Sequence, residues 1–136
     1  FANIYILTKT KQKPNQNLTV RNKMSDNTQN QNVNTYIFHT DPGHGWLEVP
    51  FAMVYLLGIG DKLSSYSYMK RDCQTFYLEE DCDAGRFIRA YEAKFGAKPE
   101  MVRGSYSNGQ SFVRNLTRYD WATVLIKTAE RMAAGV

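Results

Sequence analysis

The sequence predicts an α+β fold: a mostly antiparallel sheet of β-hairpins with about three helices packed on one face. Paired segments with period-two alternation flank turn residues, and each pair is followed by a stretch with helical spacing or helix-ending residues. The length, 136 residues, gives room for one core that needs no metal or disulfide to hold it. Residues 35–136 are read as a single α+β domain. Residues 1–34 are read as a disordered or non-native segment, because 24–34 is an Asn/Gln-rich tract without periodicity and "MSDNTQNQNVN" suits a native start at Met24.

The first unit is "TYIFHT", the turn "DPGHG" and "WLEV", which places Trp46 and Glu48 on one face and Leu47 and Val49 on the other. Pro50 suits the first position of a helix, "FAMVYLL" continues it, and Gly58 offers a left-handed cap. This helix is apolar all round, which predicts deep burial or a face that meets a partner. The second unit is "SSYSYMK", the turn "RDCQ" and "TFYLEE", with Tyr66 and Tyr68 on one face of a strand. Asp81 or Asp83 then caps a helix in which Phe87, Tyr91 and Phe95 recur at four-residue spacing beside Ala84 and Ile88. Lys94 suits its last turn, Gly96 ends it, and Pro99 prevents its resumption. In the third unit "EMVRGSY" and "QSFVRNLT" flank Ser107-Asn108-Gly109, a strong hairpin signal. Asp120 caps the last helix, whose apolar stripe is read as Trp121, Leu125, Thr128, Ala129 and Met132.

Charge restricts the partners. The chain carries a formal +4, but Lys9, Lys11, Lys13, Arg21 and Lys23 fall before Met24 with no acid among them, leaving twelve basic groups against thirteen acids. That is a small electrostatic footprint for nucleic acid. The longest apolar run, Val49 to Leu57, is far short of the ~20 residues that span a bilayer, so no membrane is expected. Cys73 and Cys82 match neither a zinc framework nor a disulfide scaffold and are read as free thiols of a cytoplasmic protein.

The blocks "TDPGHGWLEVP", "SSYSYM", "FYLEEDCDAGRFIRAYEAKFG" and "VRN" resemble a group of small phage- and plasmid-borne bacterial proteins of unassigned function. The likeness covers about residues 39–97. It implies a mobile-element setting in a bacterial host and adds no catalytic residue.

Three constellations carry candidate chemistry. His39, Asp41 and His44 form an H-x-D-x-x-H spacing that can present three ligands to one ion with an open position for water. The competing reading is a type II turn at Pro42-Gly43, with Asp41 bonded to the turn amides and Gly45 allowing close approach of a neighbour. Glu79, Glu80, Asp81 and Asp83 can act as paired carboxylates or serve a helix N-terminus. Tyr66, Tyr68 and Tyr77, with Trp46, can form a binding surface or stack on bases, with Lys70, Arg71, Arg103, Arg114 and Arg118 nearby in sequence. Cross-strand pairing is the alternative reason for such aromatics. The reading that follows is a non-enzymatic protein-binding module, or a homo-oligomer, working through the aromatic hairpin and the Phe51–Leu57 helix, without a cofactor. A metal-dependent, nuclease-like hydrolase built on His39, Asp41 and His44 is the alternative, and a nucleic-acid-binding module the third.

Overall fold

The computed structural model describes residues 35–135; the expectations for 1–34 and the start at Met24 lie outside the described residues. Six strands form one mixed sheet in the order β5-β1-β2-β4-β3-β6. They are β1 (Thr35–Thr40), β2 (Gly45–Pro50), β3 (Tyr68–Met69), β4 (Thr75–Glu79), β5 (Glu100–Tyr106) and β6 (Thr117–Arg118). The helices are α1 (Phe51–Leu57), α2 (Asp83–Phe95) and α3 (Trp121–Ala133). Four of the five strand pairings are antiparallel, and β1 with β5 is parallel. The fold is α+β, as the alternating units predict.

The alternation in β2 is what sorts the two faces. Leu47 pairs with Phe38 and Leu78, and Val49 with Phe76. Val54, Phe87, Tyr91 and Val124 come from the three helices into the same buried cluster. Burying such side chains contributes roughly 1.5–3 kcal/mol each, and this layer therefore sets where the helices lie. Trp46, Tyr68 and Tyr77 lie on the opposite face and close a smaller core with Val113 and Leu116.

That second core explains the largest departure from expectation. Asn108-Gly109 does not turn a hairpin, because β5 pairs with β1 at one edge of the sheet while β6 pairs with β3 at the other. The segment between them crosses the face as a strap with a short 3₁₀ turn, Phe112–Asn115. Val113 is fully buried there, and the Phe112 ring meets Tyr77 and His39 edge-on at centroid distances of 5.7 and 5.2 Å. Covering the aromatic face outweighs the local turn signal.

Other elements differ in detail. Pro50 ends β2 and caps α1 rather than opening it, while Gly58 adopts φ 67° at the far end as expected. Val54 is buried and Phe51, Met53 and Leu57 pack on the core, so most of the apolar surface of α1 is used within the domain. "SSYSYMK" is not one strand, since only Tyr68 and Met69 pair, and Ser64 to Ser67 form a turn. Neither Asp81 nor Asp83 caps α2: Cys82 occupies that position, and Glu79 Oε1 accepts the Asp81 and Cys82 amides at 3.0 Å. Gly96 at φ 81° and Lys94 end the helix as read.

Asp120 caps α3 through the Thr123 amide and hydroxyl. Trp121 and Thr128 of the expected stripe lie on its packed side with Val124, whereas Leu125, Ala129 and Met132 are exposed together with Ile126. The reason is the anchor at the start of the helix. A Cβ on Gly60 would lie 2.4 Å from the Trp121 ring, and the Tyr119 hydroxyl donates to the Gly60 carbonyl at 2.7 Å. Gly60→Ala is therefore expected to cost about 1–3 kcal/mol by displacing that ring. Thermal denaturation checks it, and an unchanged melting temperature would mean that Trp121 is free to move. Among the described residues no helix is long and apolar enough to cross a membrane.

Candidate functional site

The "HTDPGHG" stretch folds as a hairpin end in which each titratable residue has a different task. Asp41 is buried, and its Oδ1 accepts the Gly43 and His44 amides at 3.0 Å, as an aspartate opening a tight turn does. Gly43 is not in the left-handed region, so the turn is not type II. Oδ2 accepts the Ser111 amide at 2.9 Å, and Arg114 donates through Nε at 2.7 Å and Nη2 at 3.0 Å. With five donors the carboxylate is fully used, and it fastens the strap to the turn. The Arg114 guanidinium, and after it the three amides, hold the Asp41 carboxyl well below the usual carboxylate range. A Cβ on Gly45 would lie 2.5 Å from the Phe38 ring, so the close approach expected at that glycine is present.

His39 points to the same face but into its own network. The Ser105 amide donates to Nδ1 at 3.1 Å, which leaves the ring proton on Nε2, donated to Glu48 at 2.7 Å. Ser105 Oγ also lies 2.9 Å from Nδ1. Serine, imidazole and carboxylate are thus in series, but the Ser105 amide, the natural oxyanion donor beside that hydroxyl, is spent on His39. Gly104 makes the approach possible, since a Cβ there would meet Ile37 at 2.3 Å and the imidazole at 2.9 Å. His39 and Asp41 accordingly supply no ligands to a shared ion, which corrects the H-x-D-x-x-H reading.

His44 converges instead with the acidic corner between β4 and α2. Its Nδ1 lies 3.1 Å from Glu79 Oε2 and 4.0 Å from Glu80 Oε2. His44, Glu79 and Asp81 each offer a ligand atom, all within 4.8 Å of one another. Asp83 does not join them, being fully buried beneath the 64–67 turn, where Oδ2 accepts the Ser64 amide and the Ser64 and Ser67 hydroxyls.

These groups open on a cleft of about 310 Å³. His44, Glu79, Asp81 and Cys82 line one part of it, and Trp46, Tyr66, Tyr68, Arg114 and Arg118 the rest. Arg114 lies 5.0 Å from the centroid of the Trp46 ring and Arg118 4.9 Å from that of Tyr68. Burial, then the charges of Glu79 and Asp83, push the Cys82 thiol up, so it lines the cleft as a neutral group. Trp46 is 1% exposed, and its indole Nε1 has no hydrogen-bond partner among the described residues.

Comparison with family models, curated proteins and solved structures finds no match. The site therefore stands on its own geometry.

Of the expected aromatic surface, Trp46 and Tyr68 form the wall of the cleft, and Tyr66, 63% exposed, stands at its rim. Tyr77 is buried beneath the strap, where burial and then the Glu48 charge push its hydroxyl up to about 12. Arg114 and Arg118 belong to the site, whereas Arg103 lies on β5. Glu48 and Ser105 were not among the candidates in the sequence. Glu48 is separated from His39 by a hairpin that predicts the contact, but Ser105 arrives through a parallel pairing that no local signal marks.

Proposed function

We propose that the protein is a non-enzymatic binding module whose cleft takes a small phosphate-bearing ligand with a planar ring, the chemistry of a mononucleotide. The observation that carries this reading is the pair of guanidiniums, Arg114 and Arg118, that line one cleft and lie over its Trp46 and Tyr68 rings. A hydrogen bond from such a charged donor to a phosphate oxygen contributes about 1.5–3 kcal/mol. Arg114 spends Nε and Nη2 on Asp41, and Arg118 spends Nη1 on the Ser65 carbonyl at 3.0 Å, so each keeps donor capacity. The exposed Tyr66 ring offers a face for stacking. The volume, about 310 Å³, falls at the small end of ligand sites, and the near-neutral charge from Met24 onward argues against a long nucleic-acid strand. The likeness of residues 39–97 to small phage- and plasmid-borne proteins supports a mobile-element setting in a bacterial cytoplasm.

Calorimetric titration with adenosine monophosphate, adenosine and inorganic phosphate tests the reading. The nucleotide is expected to bind more tightly than either part, and Arg118→Ala to weaken it by roughly tenfold, the worth of one charge-assisted hydrogen bond. Equal affinity for adenosine would remove phosphate from the proposal, and no binding of any of the three at millimolar concentration would overturn it. Steady consumption of the nucleotide would replace the binding reading with a hydrolytic one.

A second reading, contact with a protein partner or a second copy, is favoured by α3, where Leu125, Ile126 and Met132 stand exposed along one surface. Sedimentation over a range of concentrations checks the second copy, and a mass that stays monomeric throughout excludes it.

A further inference from the structure

We infer that His44, Glu79 and Asp81 form a site for a divalent transition-metal ion at the acidic end of the cleft. The ligands come from two separate elements, each fixed by bonds that do not involve a metal. Asp41 holds the His44 amide, and the Asp81 and Cys82 amides hold Glu79 through Oε1. That leaves Glu79 Oε2 to face His44, on a carboxylate whose side chain is only 9% exposed.

Oε2 faces His44 Nδ1 at 3.1 Å, yet Nδ1 is buried and has no aligned hydrogen-bond partner among the described residues. Two atoms that share a shell of ~2.0–2.2 Å at about a right angle stand roughly 3 Å apart, so this separation fits two ligands of one ion. Asp81 completes the set from the solvent side, with its ligand atom within 4.8 Å of the other two. These three residues and Trp46, buried to 1% with no hydrogen-bond partner for its N–H among the described residues, line the same cleft.

Donor chemistry selects the ion. One imidazole with two carboxylates suits Zn²⁺ or Mn²⁺ better than Mg²⁺ or Ca²⁺, which take oxygen ligands. Three protein ligands leave open positions for water or for a phosphate oxygen. The inference concerns the cleft of the nucleotide reading but does not depend on it.

The test is titration of the full chain with Zn²⁺ and with Mn²⁺ alone, no nucleotide present, followed by calorimetry and by metal analysis after dialysis. One ion per chain is expected, with Mg²⁺ binding far more weakly. The chain has two histidines, and both ring nitrogens of His39 are engaged, so a shift confined to the His44 imidazole signals in NMR identifies the site. His44→Ala and Asp81→Asn should each weaken binding by more than the roughly tenfold typical of losing an outer-shell partner. Glu79→Gln keeps an amide oxygen for the α2 cap, so it is expected to fold and still lose affinity. Absence of stoichiometric binding, or binding that all three variants retain, overturns the site. Nucleotide bound with no metal response would sink this inference and leave the proposed function standing; metal bound without nucleotide would do the reverse.

Discussion

Asp41→Ala is expected to lower the unfolding free energy by about 3–5 kcal/mol, the cost of leaving a largely buried cation without its partner. Arg114 keeps 26% of its side-chain exposure, which places the value toward the lower end. The three amides of Gly43, His44 and Ser111 lose their acceptor at the same time. For a domain of this size each kcal/mol moves the midpoint by roughly 4–8 °C, so thermal denaturation should show a fall of well over 10 °C. The change also frees the strap that carries Arg114 into the cleft. The pH dependence has a definite sign. In the folded chain the Asp41 carboxyl titrates below its unfolded value of ~3.9, so its contribution is complete above roughly pH 5 and is lost as the pH falls toward the folded value. The gap in stability between wild type and Asp41→Asn should therefore narrow below about pH 4. A gap that stays constant down to pH 2 would mean that Arg114 does not hold the carboxylate.

Asp83→Ala is expected to cost about 3 kcal/mol or more, because three donors around a fully buried carboxylate would be left unmade. Those donors, from Ser64 and Ser67, shape the turn that holds Tyr66 at the rim and leads into Tyr68. Ser67 Oγ also accepts the Glu79 amide at 2.9 Å, so the loss extends to the acidic corner. Urea unfolding gives the stability, and protection of the Ser64 and Glu79 amides from hydrogen exchange gives the local effect. Full protection with lowered global stability would show that the turn holds without Asp83.

The elements that were legible in the sequence are those set by short-range rules. β1 and β2 follow from alternation around Pro42-Gly43, Gly58 and Gly96 take the left-handed caps, and Asp120 supplies its own N-cap. The failures share a cause, which is a distant partner outbidding a local preference. Asn108-Gly109 gave way to the cover that Phe112 and Val113 provide over Trp46 and Tyr77. Asp83 was drawn away from the helix cap by Ser64 and Ser67, sixteen or more residues earlier. In α3 the helical period was visible but not its phase, since leucine and methionine at 125 and 132 read as core as well as Val124 does. The site was half legible. His44 and the acidic run stood out by residue type, but that they meet while His39 turns to Ser105 depends on strand order.

The parallel ladder between β1 and β5 joins Thr35 to Glu100 and Phe38 to Arg103, residues sixty-five apart. Closing a loop of that length is an entropic toll that local contacts cannot offset in advance, so this pairing belongs to the late stage of folding. On a ribosome the first four strands, α1 and α2 can assemble while β5 is still unsynthesised, and for that interval the outer edge of β1 stands open. An open edge is a template for another chain's strand. Truncation before residue 100 should therefore give a species that aggregates through β1; pairing with β5 ends this exposure, and the strap that follows is tied back to the β1 end at Asp41.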